Sequence, residues 1–201
     1  MSFPRIDLAA CDPLLTPAML EKLFDATGGA RRADAALMQI DTYRLLLAGP
    51  GIFSIQLNVT TRDDPKNEIL LQRLYSSRSD EFPVQGRKHK KLTPWTDTLF
   101  GRGEVFTACG EAALAQTFDD FTQMRALGLN AVVNVPLMRE RTCYATFNVF
   151  GTRGGFDPSE ILALRVLALI AARWVTPAPD LFYCLDPLSS INVDPTNTLK
   201  E

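Results

Sequence analysis

Two short apolar segments on either side of a four-residue polar turn constrain this chain more than any other feature. The first runs from Ala131 to Met138 and the second from Cys143 to Phe150. Segments this short, rich in valine and phenylalanine, are typical of β-strands. The connection Arg139-Glu140-Arg141-Thr142 is long enough only for an antiparallel pair. The sequence therefore predicts a hairpin, with the rest of the domain built around an antiparallel sheet.

Periodicity and turn residues predict the remaining elements. Thr16 and Pro17 are typical of a helix start, and Gly28-Gly29 of a helix end. Asp157 and Pro158 give the same signal for the last helix. In chain order, the prediction is helices over 16–28 and 30–47, strands over 53–59 and 68–76, a short helix opening at Thr93-Pro94, a short strand over 104–107, small helices over 110–116 and from Asp119 to near Gly128, the hairpin, and a helix over 158–175.

The polar segment 77–93 contains five consecutive basic residues, Arg87-Lys88-His89-Lys90-Lys91. One interpretation is a loop exposed to solvent, which is the usual environment of a charged run. The other is a loop that closes over an anionic ligand. The sequence leaves both interpretations open.

Composition excludes several classes of protein. The 201 residues are 46 % hydrophobic with a formal net charge of −2, which is typical of a globular domain and gives no basis for nucleic-acid binding. We find no apolar run of the roughly 18–20 residues that a membrane span requires, and no signal peptide, so we expect a cytoplasmic protein. The cysteines Cys11, Cys109, Cys143 and Cys184 are far apart and His89 is the single histidine, so we expect reduced thiols and no metal site.

The chain divides into three parts. Residues 1–15 carry two prolines and no clear period, and are expected to form an N-terminal arm. Residues 16–175 form the predicted domain. Residues 176–201 contain four prolines, which exclude a continuous helix, yet many apolar residues. We expect this C-terminal extension to be extended chain packed on the domain or on a partner subunit.

The order of the elements and several short sequence segments within them resemble a GAF domain, the small-molecule-sensing module of many bacterial signalling proteins. The resemblance covers residues 16–175, and its most typical segments are NVPL (134–137), ATFNVF (145–150) and FDPSE (156–160). It implies an α+β fold with layered helices and sheet: an antiparallel sheet of five to six strands, the N- and C-terminal helices on one face, and small helices and loops covering a pocket on the other.

The chain departs from that family at two places. Ala145 stands where the family usually has a glycine. Of the family's cyclic-nucleotide motif, only the end is matched, by Phe156 and Glu160. The resemblance therefore does not extend to cyclic-nucleotide binding.

The resemblance also implies which residues face the pocket. The candidates are Trp95, Phe106, Cys109, Phe118, Asp119, Asp120, Phe121, Met124, Leu127, Asn134 and Phe147. Trp95 is either a lid or a packed surface aromatic. One of Asp119 and Asp120 is expected to cap a helix, while the other orients a ligand amine or hydroxyl.

Asn134 and Asn148 are polar residues within apolar strands. Each needs a hydrogen-bond partner, which is either a ligand or another core group. With a simple turn at 139–142, Asn134 shares a face with Ala145 and Phe147, and Asn148 points the other way unless a bulge intervenes. At most one of the two asparagines is then expected to face the pocket, and we favour Asn134.

The leading functional hypothesis is a cytoplasmic sensor or regulatory domain that binds an unknown small organic molecule without a cofactor. With no fused output domain, its signal would pass to a separate output protein or through a homodimer joined by the first and last helices. One alternative is an enzyme like the free methionine-(R)-sulfoxide reductases, in which Cys109 and Cys143 would supply the attacking and resolving thiols. Another is a protein-interaction module whose pocket is filled by its own side chains.

Overall fold

The computed structural model describes residues 14–66, 68–84 and 86–182. Within these ranges the helices and strands follow the order that the sequence predicts, with one additional strand. In chain order they are α1 (Pro17–Gly28), α2 (Ala33–Ala48), β1 (Gly51–Asn58), β2 (Glu68–Ser76), β3 (Arg87–Lys91), α3 (Pro94–Thr96) with a π-helical turn (Asp97–Gly101), β4 (Phe106–Cys109), α4 (Glu111–Thr117), α5 (Phe121–Ala126), β5 (Ala131–Arg139), β6 (Thr142–Gly151) and α6 (Pro158–Ala172).

The strands form one antiparallel sheet in the order β3-β2-β1-β6-β5-β4. β1 and β6, which are far apart in sequence, pair at its centre from Gly51 with Gly151 to Leu57 with Ala145. The predicted α+β class, the antiparallel hairpin of β5 and β6, and the upper limit of six strands are all confirmed.

Side-chain and backbone hydrogen bonds explain where the first and last helices begin. The Thr16 hydroxyl accepts the N–H of Met19 (3.2 Å), with Pro17 in the first turn of α1. At the start of α6, the Asp157 N–H donates to the Glu160 carboxylate (2.8 Å). Each bond satisfies a donor that has no partner within the helix. The sequence signals at both positions are confirmed.

The principal core lies between one face of the sheet and the layer of α1, α2 and α6. Alternate residues of β1 and β6 face this layer, including the tilted pair of rings Phe53 and Phe147 with centroids 4.5 Å apart. Leu37 and Ile40 of α2 and Leu164 of α6 are fully buried against them. The first and last helices therefore share one face of the sheet, as the resemblance implies.

The opposite face is covered by a second apolar cluster. We call residues 94–101, which form α3 and the π-helical turn, and residues 111–126, which form α4, α5 and the link between them, the cap. Apolar cap residues pack on Ile52, Ile69 and Val132 of the sheet. The buried cap members of this cluster are Trp95, Leu99, Phe100, Leu114, Phe118 and Met124.

The prediction of a loop over 77–93 is wrong for its basic run, which forms the edge strand β3. It pairs with β2 from Glu68 with Lys91 to Gln72 with Arg87. Lys88 and Lys90 are half-buried, while the residues between and beside them are exposed. The sequence does not reveal this strand because all its residues are basic. Half-buried and exposed positions alternate along it, but apolar and polar residues do not. Charged side chains are common on edge strands, where one side lacks a neighbouring strand.

The two terminal segments lie largely outside the described residues. Of the predicted arm, only residues 14–15 are described, and of the predicted C-terminal extension only 176–182. There the Phe182 N–H donates to the Thr60 carbonyl (2.8 Å), and Leu181 packs against the principal core. Across the described ranges, none of the helices combines the length and apolar character that crossing a bilayer would require.

Candidate functional site

A row of buried polar side chains crosses the centre of the cap-facing sheet surface. Ser54 of β1 lies opposite Asn148 of β6, and Asn148 lies opposite Asn134 of β5. All three are at most 4 % exposed. We call these three residues the polar row. Because these three side chains are buried, each of their polar groups must be satisfied locally.

Hydrogen bonds connect this row to the cap. The Trp95 indole N–H donates to Oδ1 of Asn134 (2.8 Å), and Nδ2 of Asn134 donates to Oδ1 of Asn148 (2.8 Å). Nδ2 of Asn148 donates to the Thr146 carbonyl (3.2 Å). Trp95 is thus held over the sheet by a buried bond from its ring. Trp95 is 6 % exposed and is therefore buried, so it is not a surface aromatic, and its role as a lid stays a prediction.

A β-bulge explains why both asparagines face the pocket, contrary to the prediction that at most one does. Arg139 pairs with Thr142 and Met138 with Cys143, but Leu137 pairs with Ala145. The extra residue, Tyr144, shifts the register by one and exchanges the two faces of the rest of β6. Asn148 therefore joins Asn134, while Ala145 and Phe147 turn to the helix layer.

Aromatic and apolar side chains enclose the space above the polar row. Trp95 contacts Phe118 edge-on at 6.1 Å, and Phe118 contacts Phe150 in the same way at 5.5 Å. The enclosed cavity has a volume of about 30 Å³, room for about two water molecules. Its lining residues are Ile52, Ser54, Gln56, Arg73, Phe82, Lys88, Lys90, Trp95, Phe118, Asp120, Met124, Leu129, Asn134, Asn148 and Phe150.

The expectation of a ligand-sized chamber is wrong for this conformation, because the site's own side chains fill most of the space. Pockets that bury small organic ligands usually have volumes of about 300–1,000 Å³. A single-ring molecule needs an apolar cavity of roughly 150 Å³. Entry of such a molecule would require the cap to move away from the sheet.

Two ion pairs join the cap to the edge of the sheet. Nζ of Lys88 lies 2.7 Å from Oδ2 of Asp120, and the Lys90 ammonium pairs with the Asp119 carboxylate. Burial opposes ionisation of Asp120, but the hydrogen bond and charge of Lys88 outweigh it and hold the pKa of Asp120 below its ordinary value. Asp120 is therefore an anion at neutral pH. We call these two contacts the cap–edge ion pairs.

Arg73 is a third cation at this wall, and its environment differs from that of the lysines. Its guanidinium lies over the Phe82 ring at 5.4 Å, and Nη1 donates to the Pro83 carbonyl (3.1 Å). Nε is buried and, among the described residues, has no hydrogen-bond partner. Burial lowers the pKa of Arg73, an effect that the charge of Asp120 partly offsets. Within the same residues Arg73 forms no ion pair with a carboxylate.

Of the eleven predicted pocket residues, five line the cavity and six, including Cys109, do not. Those that line the cavity are Trp95, Phe118, Asp120, Met124 and Asn134. Phe106, Phe121 and Leu127 instead pack around the cap-side apolar cluster without lining it. The carboxylate of Asp119 is 82 % exposed and faces the cavity only through its partner Lys90.

The prediction for Phe147 is wrong, since this ring lies in the principal core on the other face of the sheet. The bulge that moves Asn148 onto the cap face also moves Phe147 away from it. Sequence reasoning also missed lining residues on the strands, including Ser54, Gln56 and Arg73. Strand alternation could have found Ser54 and Gln56, because they alternate with the buried Phe53 and Ile55.

The pairing of Cys109 with Cys143 as catalytic thiols is contradicted by the geometry. Cys109 pairs with Ala131, which is level with Gly151 at one end of β6, while Cys143 is near the other end. A strand of 10 residues spans roughly 30 Å. Cys109 is exposed, whereas burial raises the pKa of the Cys143 thiol to about 12. The two sulfurs cannot meet without unfolding the sheet.

Two other features do not form a comparable site. His89 is exposed on β3 and its Nδ1 lies 3.2 Å from the Glu68 carboxylate, away from the cavity. Over residues 14–66, 68–84 and 86–182, His, Cys, Asp and Glu nowhere cluster in the number needed to hold a metal ion. A larger groove of about 390 Å³ lies beside the β5–β6 turn, but Arg139 and Glu140 in its wall are exposed. Of these features of the described residues, the cap-side pocket is the one that combines buried, converging polar groups with an apolar enclosure.

Comparisons with known proteins identify the fold. No family model and no curated protein sequence matches the chain. The GAF domain of a phosphoenolpyruvate-protein phosphotransferase from Acinetobacter is 14 % identical, with a TM-score of 0.56 over 80 % of this chain and 93 % of that one. The GAF domain of a phosphotransferase of the same name from Coxiella burnetii is 13 % identical, with a TM-score of 0.55 over 77 % and 88 % of the two chains.

A third match is the GAF domain of a two-component sensor histidine kinase from Bacillus halodurans. It is 10 % identical, with a TM-score of 0.55 over 72 % of this chain and 95 % of that one. Identities this low carry information about the fold and none about the ligand. Together with the antiparallel six-stranded sheet, its helix layer and its cap, these matches show that this chain has the GAF-domain fold.

Proposed function

We propose that the cap-side pocket binds a small organic molecule and that the chain acts as a sensor or regulatory domain. The observation that carries this proposal is the polar row beneath an aromatic cap. Burying three polar side chains at the centre of a sheet face is unfavourable compared with apolar residues unless their hydrogen bonds are satisfied. A site that recognises a ligand gives a reason to keep them there.

A buried hydroxyl with unused hydrogen-bonding capacity lies beside the polar row, next to the residues that line the pocket. Thr146 lies between Asn148 and the bulge on the same sheet face, opposite Gln56. Its hydroxyl is buried and, within the described part of the chain, has no hydrogen-bond partner. Orphaned buried groups are uncommon in folded proteins, and they are often accounted for by a water or a bound molecule.

Movement of the cap would provide the volume that the closed pocket lacks. The cap–edge ion pairs are partly exposed, with Lys88 39 % and Asp119 82 % open to solvent. Ion pairs of this kind typically contribute only about 0–1 kcal/mol each. Opening the cap along the β3 edge therefore costs little electrostatic free energy. A ligand that binds the open state better than the closed one would shift the population and so generate a signal.

Native mass spectrometry of the purified full-length chain, followed by a thermal-shift screen of a metabolite library, tests the proposal. We expect either a retained small molecule or a compound that raises Tm progressively, roughly with the logarithm of its concentration, once that concentration exceeds Kd. Asn148→Leu should remove the effect. Asn130→Ala should not, because Asn130 lies outside the pocket lining. A chain that carries no ligand, and whose Tm no compound raises, would contradict the proposal.

The exposed side of the helix layer favours a second function, association with another protein. Met38 and Leu45 are seven residues apart on α2, as are Leu162 and Leu169 on α6, and each pair forms an exposed stripe. Leu169 is the most exposed of the four, at 75 %. We propose that two copies associate through these stripes, or that a separate output protein covers them.

Sedimentation analysis of Leu169→Glu tests this second function. We expect the variant to be monomeric at concentrations where the parent chain is a dimer. Val84→Glu is the control, because Val84 is also exposed but lies in the turn before β3 and outside the helix layer. If the parent chain is monomeric and neither variant changes its mass, the homodimer is excluded.

A further inference from the structure

Charge at the pocket wall is unbalanced toward cations. Arg73, Lys88 and Lys90 all line the cavity, whereas Asp120 is the one carboxylate among the lining residues of the described chain. Lys90 is balanced by Asp119 and Lys88 by Asp120. Arg73 is left with a buried Nε that no described group accepts from. The charge of Asp120 acts on Arg73 without forming a described ion pair with it, and an anion bound in the cavity would lower the cost of burying the guanidinium.

Asp120 already shows how a carboxylate sits at this wall. Asp120 is the residue just before α5, and its side chain lines the cavity. Its Oδ2 accepts a hydrogen bond from Nζ of Lys88 (2.7 Å). Its pKa is held low, so it is ionised while it occupies this position. The carboxylate of a ligand would have the same charge and the same shape, and would compete with it for the Lys88 ammonium.

The rest of the cavity determines which kind of apolar group could be attached to the carboxylate of such a ligand. Trp95, Phe118 and Phe150 present ring edges and faces, and Met124 and Leu129 add apolar surface. Aromatic walls of this kind bury a planar apolar group well. The polar row lies at the floor, on the sheet side of the same space.

Building on the proposed function, we propose that the ligand is an organic carboxylate with an apolar body the size of one or two rings. Its carboxylate binds Arg73 and Lys88 and replaces Asp120 as the partner of Lys88. The body lies between the rings of the cap and the sheet.

Displacement of Asp120 gives the binding event a structural consequence. Asp120 directly precedes α5, so its release removes one cap–edge ion pair and frees the start of that helix. This part of the cap is also held by the Lys90–Asp119 pair, by the bond from the Gln123 amide to the Glu81 carbonyl (2.6 Å) and by the buried side chain of Met124. Occupancy of the pocket is thereby coupled to the position of α5.

Isothermal titration of the full chain with matched acids and amides tests the inference. The probes are benzoate, phenylacetate and indole-3-acetate, each compared with its primary amide. We expect at least one acid to bind roughly tenfold or more tightly than its amide, the range expected for a hydrogen bond to a charged group. We expect Arg73→Gln to reduce that preference, and Lys88→Gln serves if Arg73→Gln does not fold.

Asp120→Asn distinguishes displacement from simple attraction. Because the internal competitor loses its charge, we expect the variant to bind the preferred acid several-fold more tightly than the parent chain does. Asp63→Asn, at an exposed position outside the pocket lining, should leave Kd unchanged. Weaker or unchanged binding to Asp120→Asn would contradict the displacement and overturn the inference.

The outcomes also separate this inference from the proposed function. If amides bind as tightly as acids and Asn148→Leu abolishes binding of both, the pocket is a ligand site and the inference of an anion is wrong. If no probe binds and native mass spectrometry shows no retained molecule, both are wrong.

Discussion

Nδ2 of Asn134 donates to Oδ1 of Asn148 across the centre of the sheet, 2.8 Å away. This contact exists only because the bulge beside Tyr144 places the two residues opposite each other. It joins the two strands of one hairpin through their side chains as well as their backbones. The ring of Trp95 extends the same connection into the cap.

Asn134→Ala is expected to destabilise the domain by about 2–6 kcal/mol, because it leaves the Trp95 N–H and the Asn148 carbonyl oxygen buried without partners, at roughly 1–3 kcal/mol each. Urea unfolding monitored by tryptophan fluorescence measures the change. Asn130→Ala is the matched control, and a loss below about 1 kcal/mol is expected for this exchange away from the polar row. Equal effects of the two exchanges would contradict the role of the buried bonds.

The ion pair of Asp120 predicts a specific dependence of stability on pH. The folded-state pKa of Asp120 lies below the ordinary aspartate value of 3.8, so the stability that its ionisation contributes is complete above that value and is lost as pH falls through the folded-state pKa. The difference in Tm between the parent chain and Asp120→Asn should therefore be largest near neutral pH and shrink below about pH 4. Scanning calorimetry across that range provides the measurement. A difference that stays constant with pH would show that the carboxylate has no such role.

Cys143 is predicted to resist alkylation while the chain is folded. Burial raises the pKa of its thiol to about 12, so at pH 8 only about one part in ten thousand is thiolate. Iodoacetamide should modify Cys109, which is exposed, and should reach Cys143 only in denaturant. Peptide mapping by mass spectrometry gives both rates in one sample. Comparable rates for the two cysteines in the folded chain would contradict the buried position of Cys143.

Gly51→Ala is predicted to be strongly destabilising, by at least about 2 kcal/mol. A Cβ at Gly51, where φ is 155°, would lie 1.9 Å from the carbonyl oxygen of Phe150. Relief would require the central pairing of β1 with β6 to separate. Gly154→Ala is the control, since no atom lies within 4 Å of its added Cβ. Midpoints of chemical unfolding compare the two variants directly.

Local sequence signals were sufficient for most of the fold. The strand predicted over 68–76 has those limits in the structure, and the last helix starts at the predicted Pro158. In both cases the residues that determine the boundary lie within a few sequence positions of it. The strand β3 was missed because a run of cations gives no apolar alternation, and its strand geometry depends on pairing with β2.

The site was less accessible to sequence reasoning, because its geometry depends on contacts between distant residues. The bulge has no turn signal in the sequence, and it places Tyr144 where its hydroxyl donates to the carbonyl of Ala172, the last residue of α6 (3.4 Å). Lys88 and Asp120 are 32 positions apart, so neither residue type predicts the other. Of the cap aromatics that were associated with the pocket, Trp95 and Phe118 line the cavity, whereas Phe121 packs beside it.

The basic character of β3 has a consequence for how copies of this chain can meet. As an outermost strand, β3 offers unpaired backbone groups that a second sheet could extend. Two such strands side by side would bring Lys88, Lys90 and their charged neighbours against identical residues, and like charges would repel. Continuation of the sheet from one molecule into the next is therefore disfavoured on this border, which leaves the helical surface as the more favourable place for self-association.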